Sequence, residues 1–469
     1  MPAALAPKLA LARAVGALSR LRGGGATSMP GKVLMRLEPG AIVALARRLH
    51  RGSALVSATN GKTTTTSMAA SILERAAVPL VYNEAGANMA GGIATALLSA
   101  ARPHGQIAGE LGLFEVDEMW LAPLAAQLKP RAVVLGNLFR DQLDRYGELE
   151  TIAERWAQAL AEGHPQLILN ADDPSIADLG RGHADALYFG VEDDSLALSR
   201  MAHAGDAKHC RRCGSPYVFD AVYLGHLGRY HCPNCGQTRP APAVLATRVG
   251  LEGVRAARFT LRTPEGDAQV ALALPGLYNV YNALAAAALA TALEVPLQVI
   301  AAGLASATAS FGRAETVMLG ARNGSAPPGA AQRELRILLI KNPAGANEVL
   351  RTLALEPGDH DLLAVLNDKI ADGRDVSWIW DADFDLLAGR VRRVTCSGTR
   401  APELALRLKY AGIDPSSIRV QPDLASALRE AAADRNGHDT PLYALPTYTA
   451  MLALRELLVS RGEADSAWS

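Results

Sequence analysis

Aromatic side chains are scarce, at 5% of the 469 residues, and cysteine is scarcer, with five in the whole chain. So few thiols exclude a disulfide scaffold, so the fold must rest on buried apolar surface, which this length supplies in roughly two to four domains. An excess of one charge is missing too: Lys plus Arg and Asp plus Glu both number 47, a formal net charge of zero. That balance argues against a protein built to coat nucleic acid, which needs a basic surplus. No segment reaches the ~18 consecutive apolar residues of a spanning helix. The stretch from Lys8 to Leu21 superficially suggests a signal peptide, yet Arg13 interrupts it and no small-residue cleavage site precedes Gly23-Gly24-Gly25. A cytoplasmic protein is expected. The N-terminal segment is then an amphipathic helix that packs on the next domain or grazes the inner membrane face.

Ala, Leu, Gly and Arg dominate instead, the profile of an alternating α/β enzyme. Ser57-Ala58-Thr59-Asn60-Gly61-Lys62-Thr63-Thr64-Thr65-Thr66 follows the apolar Ala54-Leu55-Val56 and precedes a helical pattern from Ser67. A strand that turns through glycine into a helix start aims free N–H groups at an anion. Lys62 would reach terminal phosphates, and Thr63 or Thr64 a metal. Lys62 is expected to stand exposed, adding charge to a transition state and little to packing. Strict Walker spacing would put glycine at 56, where valine stands. Downstream, Leu113-Phe114-Glu115-Val116-Asp117-Glu118 ends a strand in three carboxylates, and Glu115 or Glu118 suits Mg²⁺. The polar run from Asn137 to Glu148 follows the next strand and lies where substrates bind.

The pattern predicts three parts: an N-terminal helical segment (1–45), a central ATP-binding domain with a parallel sheet (46–315), and a smaller α/β, Rossmann-like domain (316–469). A helix is expected over Pro39 to Leu49, strands at Val133 to Asn137 and Leu167 to Asn170, and a helix over Pro275 to Leu293. The C-terminal part reads as strands at Leu335 to Ile340, Leu362 to Asn367 and Arg392 to Thr395 among helices from Gly345, Ala401 and Leu424. Four of the five cysteines fall in an insertion at about 206–240. Cys210-x-x-Cys213 and Cys232-x-x-Cys235, 18 residues apart, have the spacing of a closed four-thiolate zinc ribbon, each knuckle continuing into glycine. Four thiolates leave no open position, so this zinc is structural. Two disulfides are the alternative, disfavoured in a reducing compartment.

Ala58-Thr59-Asn60-Gly61-Lys62-Thr63-Thr64, Asp141-Gln142-Leu143-Asp144-Arg145, Leu169-Asn170-Ala171-Asp172-Asp173, Pro275-Gly276-Leu277-Tyr278-Asn279-Val280-Tyr281-Asn282 and Phe311-Gly312-Arg313 occur in the order of the Mur ligases. Lys341-Asn342-Pro343-Ala344-Gly345 and Ala371-Asp372-Gly373-Arg374-Asp375-Val376-Ser377-Trp378-Ile379-Trp380 resemble the MurT-type subunits of lipid II isoglutaminyl synthases. The likeness runs from about Gly23 to Leu458. Departures from the wider ligase family are Ala58 for glycine, Gln142 for histidine and Tyr278 for histidine.

The resemblance implies a Mur ligase fold and ATP-dependent amidation of the D-glutamate α-carboxyl in the lipid II stem peptide, through an acyl phosphate. It gives Lys62 and Arg313 the γ-phosphoryl charge, Thr63 and Glu115 the Mg²⁺, and Asn279 and Asn282 nucleotide contacts beside Thr59, Asn60, Gly61 and Thr64. Ammonia would come from a GatD-like glutaminase in a heterodimer, since Cys396 lacks the preceding glycine of a nucleophile turn and reads as a buried strand-end thiol. Asp375, with Asp372 as the near alternative, would orient the partner's histidine. Trp378 and Trp380 are expected to be exposed beside it. A stand-alone amino-acid ligase and a nucleic-acid-binding zinc-ribbon ATPase are the competing functions.

Overall fold

The computed structural model of the chain describes residues 5–21, 27–83, 87–102, 106–141, 149–199, 201, 205–308, 313–320, 332–433 and 440–464. Short apolar runs separated by Gly, Pro and Asn form β1 (Ser53–Ser57), β2 (Leu80–Tyr82), β3 (Leu111–Glu115), β4 (Ala132–Leu135), β5 (Gln166–Asn170) and β6 (Leu187–Val191). The cysteine insertion contributes β7 (Val218–Leu224) and β8 (Leu227–His231), and the chain returns as β9 (Val244–Glu252), β10 (Ala256–Thr263) and β11 (Gly266–Leu272). The main sheet has the order β11-β10-β9-β6-β5-β4-β1-β3-β2, parallel from β2 to β9 and antiparallel at β10 and β11.

Its strands are buried on both faces. Ala54 and Val56 of β1 join a core with the helices Lys62–Arg75, Leu277–Ala292 and Leu297–Ala305, while Leu55 joins the opposite core with the helices Ala90–Ala100, Leu121–Leu128 and Leu149–Gly163. Near-continuous apolar strands of this kind are what a parallel sheet requires. From β1 the chain runs out to the edge strand β2, returns as β3 beside β1, and then crosses to β4 on the other side. The carboxyl ends of β1 and β4 therefore bound a switch-point crevice, where open α/β sheets bind ligands.

The N-terminal helical segment expected over 1–45 packs on the main domain. Leu5, Leu9 and Ala12 of the helix Leu5–Leu21 share one core with Leu55, Val133 and Leu167. The helix expected over 39–49 is shorter, Ala41–Ala46, and an unanticipated one, Met29–Leu37, precedes it. Pro39 is the reason: the residue before proline is driven out of the helical region, and Glu38 is extended at φ −146° and ψ 93°. Met29–Leu37 lies so close to Ala90–Ala100 that a Cβ on Gly31 would stand 2.0 Å from the Gly91 carbonyl oxygen.

The second sheet comprises β12 (Arg313–Leu319), β13 (Arg333–Leu338), β14 (His360–Val365), β15 (Val391–Ser397), β16 (Ile418–Val420) and β17 (Leu442–Pro446), in the order β12-β13-β17-β14-β15-β16. Only β12 is antiparallel. The expected boundary at 315/316 cuts β12, which pairs along β13 from Arg313 to Leu319 and belongs to this sheet as a whole. Cys396 in β15 is fully buried, and burial pushes its thiol up to about 12, which makes it inert at neutral pH.

The four remaining cysteines meet at one point. Their sulfurs all lie within 4.8 Å of one another, with Cys210 to Cys235 at 3.5 Å and Cys213 to Cys232 at 3.4 Å. Thiolates ~2.3 Å from a shared zinc sit about 3.8 Å apart, so the donor set fits that metal. Gly214 and Gly236 adopt φ of +76° and +74°, which turns each knuckle back on itself: their N–H groups donate to the carbonyls of Cys210 and Cys232 at 2.8 and 3.1 Å. Cys213→Ser is expected to lower zinc content and melting temperature together, because the fourth thiolate closes the site. Metal analysis checks it, and a folded, fully reduced wild type holding far less than ~1 zinc per chain would refute the assignment.

Candidate functional site

The loop between β1 and the helix Lys62–Arg75 is built around glycine. Gly61 has φ +89°, and a Cβ there would lie 1.9 Å from Asn282 Oδ1, so both conformation and space demand glycine. Having no side chain, Gly61 gives the helix no side-chain N-cap, which leaves first-turn N–H groups aimed at the crevice. Asn137, at the end of β4, holds the loop from the other side: the Asn60 N–H donates to its Oδ1 at 2.9 Å and its Nδ2 donates to the Asn60 carbonyl at 3.0 Å. Thr59 is tied to the same strand end, accepting from the Phe139 N–H at 3.0 Å and donating to the Phe139 carbonyl at 3.2 Å. Thr59 and Asn60 thus shape the loop, whereas Gly61 and the helix start face the space above it.

Lys62 is not exposed, contrary to expectation. It retains 9% of its surface, donating to Glu118 Oε2 at 2.9 Å and to the Ala58 carbonyl at 2.5 Å. Burial lowers an ammonium pKa, but here the carboxylates of Glu118, Glu115 and Asp117 outweigh it and raise that of Lys62. Burial pushes Glu118 up as well, and the short contact to the ammonium describes the charged pair. Glu118 is therefore the partner of Lys62, while Glu115 meets Thr63: the Thr63 hydroxyl donates to Glu115 Oε2 at 2.7 Å. Asn88 donates to Glu115 Oε1 at 3.2 Å, and Asn83 brackets the Glu115 backbone on both sides at 2.9 Å. A hydroxyl and a carboxylate side by side at the mouth of a phosphate loop are hard oxygen donors that fit Mg²⁺.

Thr64 is buried in the first helical turn. Asn279 and Asn282, on the helix Leu277–Ala292, are buried beside the loop: Asn282 donates to Asn279 at 3.0 Å and accepts from Thr65 at 3.3 Å. Arg313 opens β12. Gln142 lies outside the described residues. Asp375 is exposed and accepts from the Ser377 N–H at 2.8 Å, and its hydrogen bonds to Ser377 hold its carboxyl below the usual range. Asp372 is buried and accepts both the N–H and the hydroxyl of Thr449. Trp380 is 51% exposed as expected, but Trp378 is half-buried against the core of the second domain.

The second domain reaches the loop through Lys341 and Asn342, which the motif resemblance included without assigning them a role. Lys341 donates to the Thr59 carbonyl at 2.9 Å and to Asp141 at 2.8 Å, and Asn342 and Asn60 pair through their side chains at 3.0 and 3.2 Å. The cysteine ribbon reaches it as well. Asp206 accepts from the Arg140 N–H at 2.8 Å, the His226 ring lies 4.5 Å from that of Phe139, and the Gly228 N–H donates to the Asp172 carbonyl at 2.9 Å.

A phosphate loop at the switch point of one α/β domain, closed over by a second, is the architecture of the Mur ligases. Residues 56–235 match the Mur ligase middle domain. A pseudomurein peptide ligase type C from Methanothermus fervidus superposes with a TM-score of 0.66 at 21% identity, covering 88% of this chain and 79% of that one. MurF from Acinetobacter baumannii superposes at 0.64 with 20% identity, covering 93% and 81%. Residues 339–451 match the MurT ligase C-terminal domain. The subunit MurT of the glutamine-hydrolysing lipid II isoglutaminyl synthase of Streptococcus pneumoniae is 33% identical over 447 residues, 95% of this chain and 94% of that protein. The chain belongs to the MurT family.

Because Lys62 and Glu118 are a buried pair, Lys62→Ala leaves a carboxylate uncompensated. The expected loss is about 3 kcal/mol of unfolding free energy, much of it restored by the double variant Lys62→Ala/Glu118→Gln. Urea denaturation of the single and double variants measures both. Equal stability of Lys62→Ala and wild type would mean that the pair is open to water.

Proposed function

We propose that this chain is the ligase subunit that uses ATP to turn the α-carboxyl of D-glutamate in the lipid II stem peptide into a carboxamide, D-isoglutamine, with ammonia supplied by a separate GatD-like glutaminase. The observation that carries this reading is the convergence of Lys62, Thr63, Glu115 and Lys341 on one loop, in a chain similar to a lipid II isoglutaminyl synthase subunit along 95% of its length.

A carboxylate oxygen bonds to the γ-phosphorus of ATP and ADP leaves. Ammonia then adds to the acyl carbon, phosphate departs, and the nitrogen loses a proton. Little covalent work falls to the protein, so positioning and charge neutralisation are the catalysis. The first-turn N–H groups after Gly61 hold phosphate oxygens, and the triphosphate displaces Glu118 as the anion facing Lys62. Arg313 adds a second positive charge to the γ-phosphoryl group. Thr63 and Glu115 would hold Mg²⁺, which would supply further neutralising charge to the phosphates. Asn279 and Asn282 contact the nucleotide. Cys210, Cys213, Cys232 and Cys235 would hold zinc in a structural role in the ribbon.

Ammonia is mostly ammonium at neutral pH, so a ligase of this kind needs a glutaminase. This chain offers no thiol for that role: four cysteines form the cluster and Cys396 is sealed in β15. Asp375 suits a partner's histidine because it is exposed and ionised, while Asp372 is committed to Thr449. Trp380, stacked at 5.9 Å on Tyr410, supplies apolar surface close by for such a partner. The reaction belongs on the cytoplasmic side, where ATP is available.

Asp375→Asn separates the two half reactions. Glutamine-driven amidation is expected to fall by orders of magnitude, as removal of an orienting acid does in other triads, while amidation driven by ammonium salts survives and complex formation is unchanged. Paired assays of lipid II amidation with each nitrogen source decide it. Loss of both activities would move Asp375 into the ligase site or the fold, and retention of both would pass the role to Asp372 or to the partner.

A further inference from the structure

The N-terminal helix Leu5–Leu21 has an apolar face on each side. One face, through Leu5, Leu9 and Ala12, is sealed in the core. The opposite face carries Pro7, Leu11, Ala14 and Leu18, all exposed, with Leu11 at 53% and Leu18 at 52%. A surface helix of a globular protein places charged groups there instead. The next helix, Met29–Leu37, runs antiparallel to it, as contacts at both ends show: a Cβ on Gly16 would meet Pro30 at 2.9 Å, and Lys8 pairs with Glu38 at 2.8 Å. This register brings Met29, 53% exposed, level with Ala17 and Leu18, and the exposed Lys32 and Arg36 level with Ala14 and Ala10.

Charge distribution says what covers this face. Residues 1–50 hold eight Lys and Arg against the single acid Glu38, a net charge of +7, so the remaining 419 residues carry −7 in a chain of net zero. Of the eight basic residues, Lys32 and Arg36 stand exposed along the neighbouring helix, and basic groups beside an apolar helix face match an anionic lipid surface, whose headgroups attract the cations while the leucines enter the acyl boundary. No helix among the described residues is long and apolar enough to cross a membrane, so this one lies on the surface. A nucleic acid would meet the basic groups but gain nothing from Leu11, Leu18 and Met29, and a soluble acidic partner has no equal need of so continuous an apolar strip.

We infer that the outer face of the N-terminal helical hairpin docks the protein on an anionic membrane, with Leu11, Leu18 and Met29 inserted and Lys32 and Arg36 on the headgroups. Neither observation depends on the substrate assigned to the phosphate loop, and lipid binding can be read without any turnover.

Co-sedimentation of the full chain with phosphatidylcholine vesicles, with and without phosphatidylglycerol, tests it. Binding to the anionic vesicles alone, weakened by salt, is expected. Leu11→Glu/Leu18→Glu should cut the bound fraction about tenfold, and Lys32→Glu/Arg36→Glu should erase the preference for phosphatidylglycerol. All four side chains are exposed, so melting temperatures should match wild type; should the leucine variant melt early, the charge variant alone decides. Wild type remaining in the supernatant, or variants that bind as well as wild type, would overturn the inference. Concentration-dependent self-association of wild type that Leu11→Glu/Leu18→Glu abolishes would give the face to a second copy and overturn it too.

Discussion

The reciprocal pair of hydrogen bonds between Asn60 and Asn137 is the constraint on which the rest of the site depends. β1 and β4 are neighbours in the sheet, and beyond Ser57 and Leu135 their ladder gives way to two loops, joined on the backbone by the Thr59 N–H donating to the Asn137 carbonyl at 2.9 Å. An asparagine offers both a donor and an acceptor, so one side chain can satisfy both polar groups of a facing peptide. With Asn60 fixed, Gly61 can turn through the left-handed region, the helix can start at Lys62, and its open N–H groups keep their aim. A side chain that merely filled the space would leave a part-buried donor and acceptor without these bonds, each worth about 0.5–1.5 kcal/mol.

Three parts of the chain converge on that clasp. The main sheet contributes Thr59 and Phe139, the second domain contributes Lys341 and Asn342, and the ribbon contributes Asp206 and His226. The cysteine ribbon is therefore a brace and not an appendage. Its foot at Arg239 is bound to Asp172 at 2.6 Å, and Tyr281, from the helix that carries Asn279 and Asn282, donates to the same carboxylate at 2.6 Å. The four-cysteine cluster at the far end of the ribbon and the asparagines beside the loop thus share one buried anchor. Burial is the largest influence on Asp172 and raises its pKa, against the pull of Arg239 and Tyr281.

How much of this was legible in the sequence follows from the range of each contact. The strand, glycine and helix of the phosphate loop sit within a few residues, and so does each cysteine knuckle, so spacing alone revealed both. The alternation of strands and helices indicated the α/β class, although the helix Met29–Leu37 before Pro39 went unread. The clasp is invisible to such reasoning, because Asn60 and Asn137 are 77 residues apart and Asn60 and Asn342 are 282 apart. Lys62 misled for a similar reason: a phosphate-loop lysine reads as exposed until Glu118, 56 residues on, is brought against it. Trp378 and Trp380 differ by two positions in one short 3₁₀ turn, Ser377–Trp380, and only packing decides which faces the core.

The central claim is that this one loop, closed by both domains, lets ATP activate a carboxylate for attack by ammonia. Transfer of oxygen tests it most directly. With the α-carboxylate of the substrate labelled with ¹⁸O, and with ATP and an ammonium salt present, the account predicts that one labelled oxygen leaves in inorganic phosphate for each carboxamide formed. Amide that forms without label entering phosphate would contradict it, since the carboxylate would then never have bonded to phosphorus.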